Sequence, residues 1–385
     1  MDDMLYLDIA ATSPLHPEVL NAMMPFLTEQ FANPSSLHSA GQSCKDAVER
    51  ARQQVAGYLN TTPAQITWTS GGTESDNLAI LGVMRALKAQ GDPRGLAVSA
   101  IEHSAVLEAA RYLERYEGIP LHALAADKEG RITPESLDTL LGEHPKALVS
   151  IMHANNETGT LNPIGDLSAI AHQHGALFHT DAVQSFAKCA LDMAVLKHVD
   201  YLSATAHKCG GPRGAGILYL SENALTPHPI VMGGAQEKGM RGGTLNTPAI
   251  VGFGKAVEML QHIEHKKHLV ALREKTTYFM EGLLPLQEQG LLVNSPQHPD
   301  HRVAGILNVS IPNKSGDALV LKFDMHDIMV SSGSACHAET IEPSHVILAQ
   351  TNDVARAQST LRFSFDASLT HAHIDRVVAL LKRQL

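Results

Sequence analysis

From about residue 60 to residue 220, short runs of β-branched and apolar residues alternate with longer stretches of helical periodicity. The runs QITWTS, GLAVSAI, ALVSIMHA, ALFHTDA, DYLSAT and AGILYL read as buried strands. Between them, ESDNLAILGVMRALKAQ places Leu78, Leu81, Met84 and Leu87 at spacings suited to one helix face. This alternation predicts an α/β domain with a mainly parallel sheet. After HPIVMGGAQEKGMRGGTLNTP the pattern changes to a polar helix from about Ala249 to Leu284, a strand at ILNVSIP, a loop, and a closing helix from His371 to Leu385. Residues 15–258 are expected to form a large domain, with 1–14 and 259–385 making a smaller α+β domain. No internal repeat or low-complexity segment interrupts this order.

Ligands of parallel sheets bind beyond the carboxyl ends of the strands, and unusual polar residues fall at those ends. Thr73 follows ITWTS, His103 follows LAVSAI, Asn155 follows VSIMH, Asp181 follows LFHT, and Lys208 follows YLSAT. Any one of them could be loop decoration. Five at matching positions predict a common cleft.

Composition narrows the class of function. With 44% hydrophobic and 18% charged residues in 385, the chain can bury a large core. Thirty Lys+Arg against forty Asp+Glu give a formal net charge of -10, and no basic run tracks a phosphate backbone, so direct nucleic-acid binding is not expected. No apolar run approaches the roughly 20 residues that span a bilayer, and MDDMLYLDIA opens on acids rather than on the basic region of a secretory signal. No membrane association and a cytoplasmic location are expected. The four cysteines, Cys44, Cys189, Cys209 and Cys336, lack CxxC spacing and read as thiols in a reducing compartment. His262, His265 and His268 in HIEHKKH recur at near-helical spacing, but a lysine-flanked polar face without an HExxH pattern predicts no metal site.

The chemistry centres on YLSATAHKCGGP, where a single lysine, Lys208, stands as a strand runs out into a glycine-rich turn. A partly desolvated amine there can form a Schiff base with an aldehyde. Pyridoxal phosphate is the aldehyde that suits the other residues: a buried carboxylate at Asp181 would keep the ring nitrogen protonated, and His103 could stack on the ring and shuttle protons. In SGGTESDN, Gly71 and Gly72 permit a tight turn, and Thr73 opens a helix whose amides would face the phosphate. Cys336 lies in VSSGSACHAETIEPSH, a run of small polar residues that predicts an exposed loop and a thiol free to react. Cys209, next to the lysine, is the rival thiol but would be pinned in its turn. Cys44 and Cys189 read as small core residues on helix or strand faces.

Taken together, YLDIAATSP, NPSSLHSAG, TSGGTESDNLAI, EHSAVL, MHANNETG, HTDAVQS, AHKCGGPRGAG, GGAQEKGMRGGT, ILNVS, SSGSAC and EPSHV resemble the cysteine desulfurases of the NifS/IscS type, class V aminotransferases that use pyridoxal phosphate. The resemblance runs over nearly the whole chain. It implies the fold type I of pyridoxal-phosphate transferases, with a large domain built on a mainly parallel, seven-stranded type of sheet. It also implies roles: Lys208 as Schiff-base lysine, Asp181 under the pyridine nitrogen, His103 stacked on the ring, and Gln184 on the ring oxygen. Gly72, Thr73, Thr205 and His207 would hold the phosphate, helped by Thr244 from a second subunit, which implies a homodimer. Asn155 would line the cofactor site and, with Arg362, receive the substrate carboxylate. Cys336 would take sulfur from L-cysteine as a persulfide, release L-alanine, and pass the sulfur to an acceptor protein for iron–sulfur assembly, tRNA thiolation or DNA sulfur modification.

Some features depart from that pattern. Ala206 stands where many relatives carry glycine, Cys209 follows the lysine, and the chain closes at KRQL without the longer C-terminal tail associated with an iron–sulfur scaffold. The last of these leaves a specialised acceptor open. A selenocysteine lyase or other C–S lyase would keep the cofactor and change the outcome, and a non-catalytic assembly component would need none of Lys208, Asp181, His103 and Cys336.

Overall fold

The chain opens with a two-residue strand, β1 (Leu5–Tyr6), then lays down the strands of a large sheet: β2 (Ile66–Thr69), β3 (Leu96–Ser99), β4 (Leu121–Leu124), β5 (Leu148–Ser150), β6 (Leu177–Asp181), β7 (Tyr201–Thr205) and β8 (Gly216–Leu220). The computed structural model describes residues 4–92, 94–333 and 343–385. The sheet has the order β2-β8-β7-β6-β5-β3-β4. Strands β4, β3, β5, β6 and β7 run parallel, whereas β8 is antiparallel to both of its neighbours. The reason is length: β7 and β8 are joined by residues 206–215, too short a connection for a helical crossover. Helices cover both faces, so the inner strands are apolar runs rather than alternating ones. Phe178, Leu202, Ile217 and Trp68 are all buried.

Every strand in the sequence reading is present; in the large sheet one was missed, and elsewhere Leu5–Tyr6, Leu292–Val293, Ile328–Met329 and Thr360–Ser364 were not foreseen. Strand β4, LHAL, is a four-residue, half-exposed edge strand with no β-branched or aromatic strand former to announce it. Two helical expectations need correction. The stretch after Gly72 is not one regular helix: Gly72–Asn77 and Val83–Ala89 flank a π-helical segment, Leu78–Gly82. A wider turn displaces the buried face. Leu78, Met84 and Leu87 are buried as expected, but Ile80 and Val83 join them while Leu81 is only partly covered.

The polar helix expected from Ala249 to Leu284 is instead two helices, Thr247–Leu260 and Ile263–Leu283, broken where His262 adopts an extended conformation. The break serves packing. The first helix buries Ile250, Phe253 and Val257 in the core of the large sheet, and the second turns Leu272, Phe279, Met280 and Leu283 into a different core. The closing helix is His371–Lys382.

That second core gathers around β9 (Leu292–Val293), β10 (Ile306–Ser310), β11 (Ile328–Met329) and β12 (Thr360–Ser364). Strands β12, β10 and β9 form an antiparallel sheet, and β1 pairs in parallel with β11. Leu5 and Leu7 are buried with Phe323, Phe363 and Leu381, so the first residues of the chain pack with its last third. No helix among the described residues is long and apolar enough to cross a membrane.

One glycine shows how closely the site-forming backbone is packed. Gly216 pairs with both Thr69 and Thr205, and a Cβ there would lie 2.6 Å from the Cα and carbonyl carbon of Gly71. Gly216→Ala should therefore lower the unfolding free energy by about 1–3 kcal/mol through overpacking. Exposed Gly142 has open space around its would-be Cβ, and Gly142→Ala should raise stability by about 0.5–1 kcal/mol. Denaturant unfolding of the two variants checks both signs.

Candidate active site

Strand β7 ends at Thr205 and tightens into the 3-10 turn Ala206–Lys208, which swings the lysine off the end of the sheet. The turn is pinned by the Cys209 and Gly211 amides, each donating to the Ala206 carbonyl at 3.0 Å, and Gly210 supplies the left-handed φ of 77° that closes it. Lys208 Nζ donates to two backbone carbonyls, Ala10 and, at 2.7 Å, Ala11. Burial, reinforced by the positive charges of Arg362 and Lys188, brings the amine from its ordinary 10.5 down to about 8.

Asp181 ends the neighbouring strand β6, in register with Ser203 of β7. Its Oδ1 accepts the Val183 amide at 2.8 Å, and no other hydrogen bond reaches the carboxylate among the described residues. Burial raises its pKa, opposed by His103, the Val183 amide and Lys208. His103 caps the helix Ser104–Glu117: its Nδ1 accepts the Ala105 amide at 3.1 Å, which leaves the Nε2 edge free. Burial keeps this imidazole below its ordinary pKa, hence neutral near pH 7. Gln184 is buried, donates from Nε2 to the Ala10 carbonyl at 2.9 Å, and leaves Oε1 without a partner. Gln184 and Lys208 thus meet at one carbonyl.

The remaining expected phosphate groups lie around the same turn. Thr73 is exposed at the start of the helical stretch after Gly72, and no described residue accepts from the amides of Gly72 or Thr73. A Cβ at Gly72 would come within 2.7 Å of Val183 Cγ2, so glycine there lets the turn sit against the segment that follows Asp181. Thr205 is buried and donates to the Ala215 carbonyl at 3.1 Å. His207 Nδ1 lies 3.3 Å from Thr12 Oγ1, and burial, with the charges of Lys208 and Arg213, holds the ring down at about 4. Thr244 is exposed and makes no hydrogen bond among the described residues. Its segment is tied to the Gly72 turn instead through Arg241, whose Nε donates to Glu74 at 2.9 Å.

Arg362 projects from β12, buried, and donates to Asp8 at 2.7 Å and to the Asn156 carbonyl at 3.0 Å. Asn155 is fully buried, and its amide is engaged within the fold: it donates to the Ile101 carbonyl and accepts from the Glu157 and Thr158 amides. In this arrangement it shapes the NNETG turn. Cys336 lies outside the described residues. Cys209 is held in its turn, its thiol raised to about 12 by burial. Cys44 is buried on the helix Ser39–Tyr58 as expected, but Cys189 is half-buried in a turn rather than on a helix or strand.

Several participants were not visible in the sequence. Ala10, Ala11, Thr12 and Ser13 reach Lys208, Gln184 and His207 from almost two hundred residues away, and Ser13 Oγ both donates to the His207 carbonyl and accepts the Gly210 amide. Beneath the cleft lie two further buried acids and a second lysine. Glu102 accepts from the Met152 amide at 2.7 Å and from Ser99, and burial pushes it up to about 8. Asp76 is raised by burial and by Asp181, and sits 3.6 Å from His179 Nε2. Lys188 is lowered to about 8 by burial. Only the EH pair at Glu102–His103 could have drawn attention to any of them.

A lysine amine able to lose its proton, a carboxylate one strand away, a neutral imidazole that feels the charge of both, and a turn of open amides can together hold a planar aldehyde that carries a phosphate. The aminotransferase class-V family profile matches residues 5–377. The cysteine desulfurase IscS of Dictyoglomus turgidum is 39% identical over 379 residues, covering 98% of this chain and 94% of that protein. Among solved structures, a NifS-like protein superposes with a TM-score of 0.86 at 31% identity over 99% of this chain and 98% of the other. The structure titled SspA in complex with cysteine does so with a TM-score of 0.77 at 33% identity, over 94% and 98%.

The lysine environment carries a pH dependence. Below pH about 8 the Lys208 amine is protonated and unreactive, and above it the free base dominates, where an exposed lysine would wait until pH 10.5. Modification of the cofactor-free protein by an amine-selective aldehyde should show one fast-reacting lysine whose rate rises with pH and levels off above about 8. Lys208→Ala should remove that phase in a stopped-flow trace.

Proposed function

The chain belongs to the class-V aminotransferase family, and from that premise we propose that it is a cysteine desulfurase that uses pyridoxal phosphate to move sulfur from L-cysteine to Cys336. The observation that carries this reading is the Lys208 amine, drawn out of water at the end of β7 with Asp181 at the end of the adjacent strand. The chain's likeness to named desulfurases over almost all of its length supports it.

The residues suit the cofactor. Gln184 Oε1 is a buried polar atom without a partner, Asp181 keeps an unbonded oxygen, and the Gly72 and Thr73 amides are open. Burial disfavours the charge on Asp181, and a protonated ring nitrogen beside it would restore that charge. Lys208 would bind the aldehyde, Asp181 the ring nitrogen, Gln184 the ring oxygen, and His103 the ring face. Gly72, Thr73, Thr205 and His207 would receive the phosphate, with Thr244 supplied by the second subunit of a homodimer. When bound, the cofactor supplies an electron sink for bonds at the amino acid's Cα.

The protein's own groups do the rest. Arg362 holds the carboxylate of L-cysteine with a fixed fork of donors. Lys208, neutral above about pH 8, takes the Cα proton, and neutral His103 can pass protons at the ring face. The Cys336 thiolate attacks the sulfur of L-cysteine and forms an S–S bond. The C–S bond breaks, its electron pair stays with carbon, Cβ takes up a proton in place of the sulfur, Cα regains the proton held by Lys208, and L-alanine leaves. Cys336 is left as a persulfide, whose terminal sulfur passes to an acceptor protein. The expected setting is the cytoplasm, and the domain division at residues 15–258 would let the smaller domain bring Cys336 to the cleft.

Purified protein should be yellow, with an absorbance band that borohydride removes and that Lys208→Ala lacks. Cys336→Ala should lower L-alanine formation from L-cysteine by at least about 100-fold while leaving the absorbance change on adding L-cysteine intact. Retention of most turnover in Cys336→Ala would point to an eliminating lyase, and colourless protein that takes up no added cofactor would overturn the reading.

A further inference from the structure

Arg362 is already paired before any ligand arrives. Its Nη1 donates to the Asn156 carbonyl at 3.0 Å and its Nη2 to Asp8 Oδ1 at 2.7 Å, while Nε is buried without a partner. The arginine side chain is only 5% exposed, the aspartate 22%. Among the described residues Asp8 is the one carboxylate bonded to it. Glu157 lies close enough for its charge to be felt, but it accepts from Ser344 Oγ at 2.6 Å and burial favours its neutral form.

The pairing is built by the backbone. The Ser364 amide donates to the Leu7 carbonyl at 2.8 Å and the Ile9 amide to the Ser364 carbonyl at 3.1 Å, which brackets Asp8 against β12 two residues from Arg362. The Ala10 amide adds a bond to Ser364 Oγ at 2.8 Å. Asp8 is therefore delivered to the guanidinium by strand pairing rather than by a flexible side chain's choice.

We propose that Asp8 is a positioning residue that attenuates Arg362, leaving the Nε edge open so that the site orients an amino-acid carboxylate and still releases it. The proposal rests on the functional reading above. L-cysteine and L-alanine present the same carboxylate, so the arginine's grip stabilises substrate and product alike and adds nothing to the chemical step. A buried guanidinium with no counter-charge would hold both tightly and slow the departure of alanine. A paired one keeps its direction and loses part of its pull.

The test uses the cofactor-loaded enzyme and Asp8→Asn, which keeps an acceptor oxygen and removes the charge. The dissociation constant of L-alanine, read by absorbance titration, and the KM for L-cysteine should fall together by about 3- to 10-fold, with no rise in kcat. Ethylamine, which lacks the carboxylate, should bind as it does to the parent within about twofold. Asp8→Glu should restore the parent's constant for alanine. If Asp8→Asn does not yield folded enzyme, Asp8→Ser makes the same demand. Alanine binding that is unchanged or weaker, or ethylamine binding that tightens equally, would overturn the proposal. A parent enzyme with no spectral response to either amino acid would overturn the functional reading itself, and the role of Asp8 with it.

Discussion

A lysine amine that must lose its proton near neutral pH has to leave water and still be held in place, and the rest of this site follows from how that is done. The Ala10 and Ala11 carbonyls hold Lys208 without lending it a counter-charge. Neutral acceptors satisfy the amine's hydrogen bonds, while burial and the nearby positive charges of Arg362 and Lys188 act against its protonation. A carboxylate in their place would have fixed the ammonium form. Asp8 and Asp181 work against the shift from farther away and do not reverse it.

The segment that supplies those carbonyls also organises its surroundings. Within residues 5–13, Leu5–Tyr6 pairs with β11, Asp8 takes Arg362, Ala10 takes Gln184 and Lys208, Thr12 meets His207, and Ser13 closes the turn after the lysine. The same stretch is anchored in the smaller core by Leu5 and Leu7. Any movement of that core relative to the large sheet is thus felt at Lys208, at Arg362 and at the strand β11. This is a mechanical coupling built from strand pairing and from side-chain hydrogen bonds to one short segment.

Beneath the cleft, Glu102, Asp76 and Asp181 are three acids, all buried. Three like charges there would be costly: burial raises all three, and the charge of Asp181 raises the other two further. Asp181, the one facing both His103 and Lys208, is the one whose charge the cleft favours. The neutral ring of His179, lowered to about 3 by burial and bonded to Ser150 and Ser203, fills the space between the strands without adding a charge.

Much of this was legible in the sequence because it depends on local order. Apolar runs and helical periodicity marked six of the seven strands of the large sheet, and the polar residues at their ends marked the cleft, since a parallel sheet carries all its carboxyl ends to one side. Strand β4 escaped because it is short and carries no β-branched or aromatic strand former, and the π-helical segment at Leu78–Gly82 because one extra residue in a turn leaves no mark on composition. The sequence by itself determined the sheet, the lysine, and the acid one strand away. Tertiary structure alone decided that the lysine gives up its proton more readily than an exposed one, that its amine rests on Ala10 and Ala11, and that Asp8 meets Arg362, because desolvation and partnership arise only when segments more than 190 residues apart are packed together.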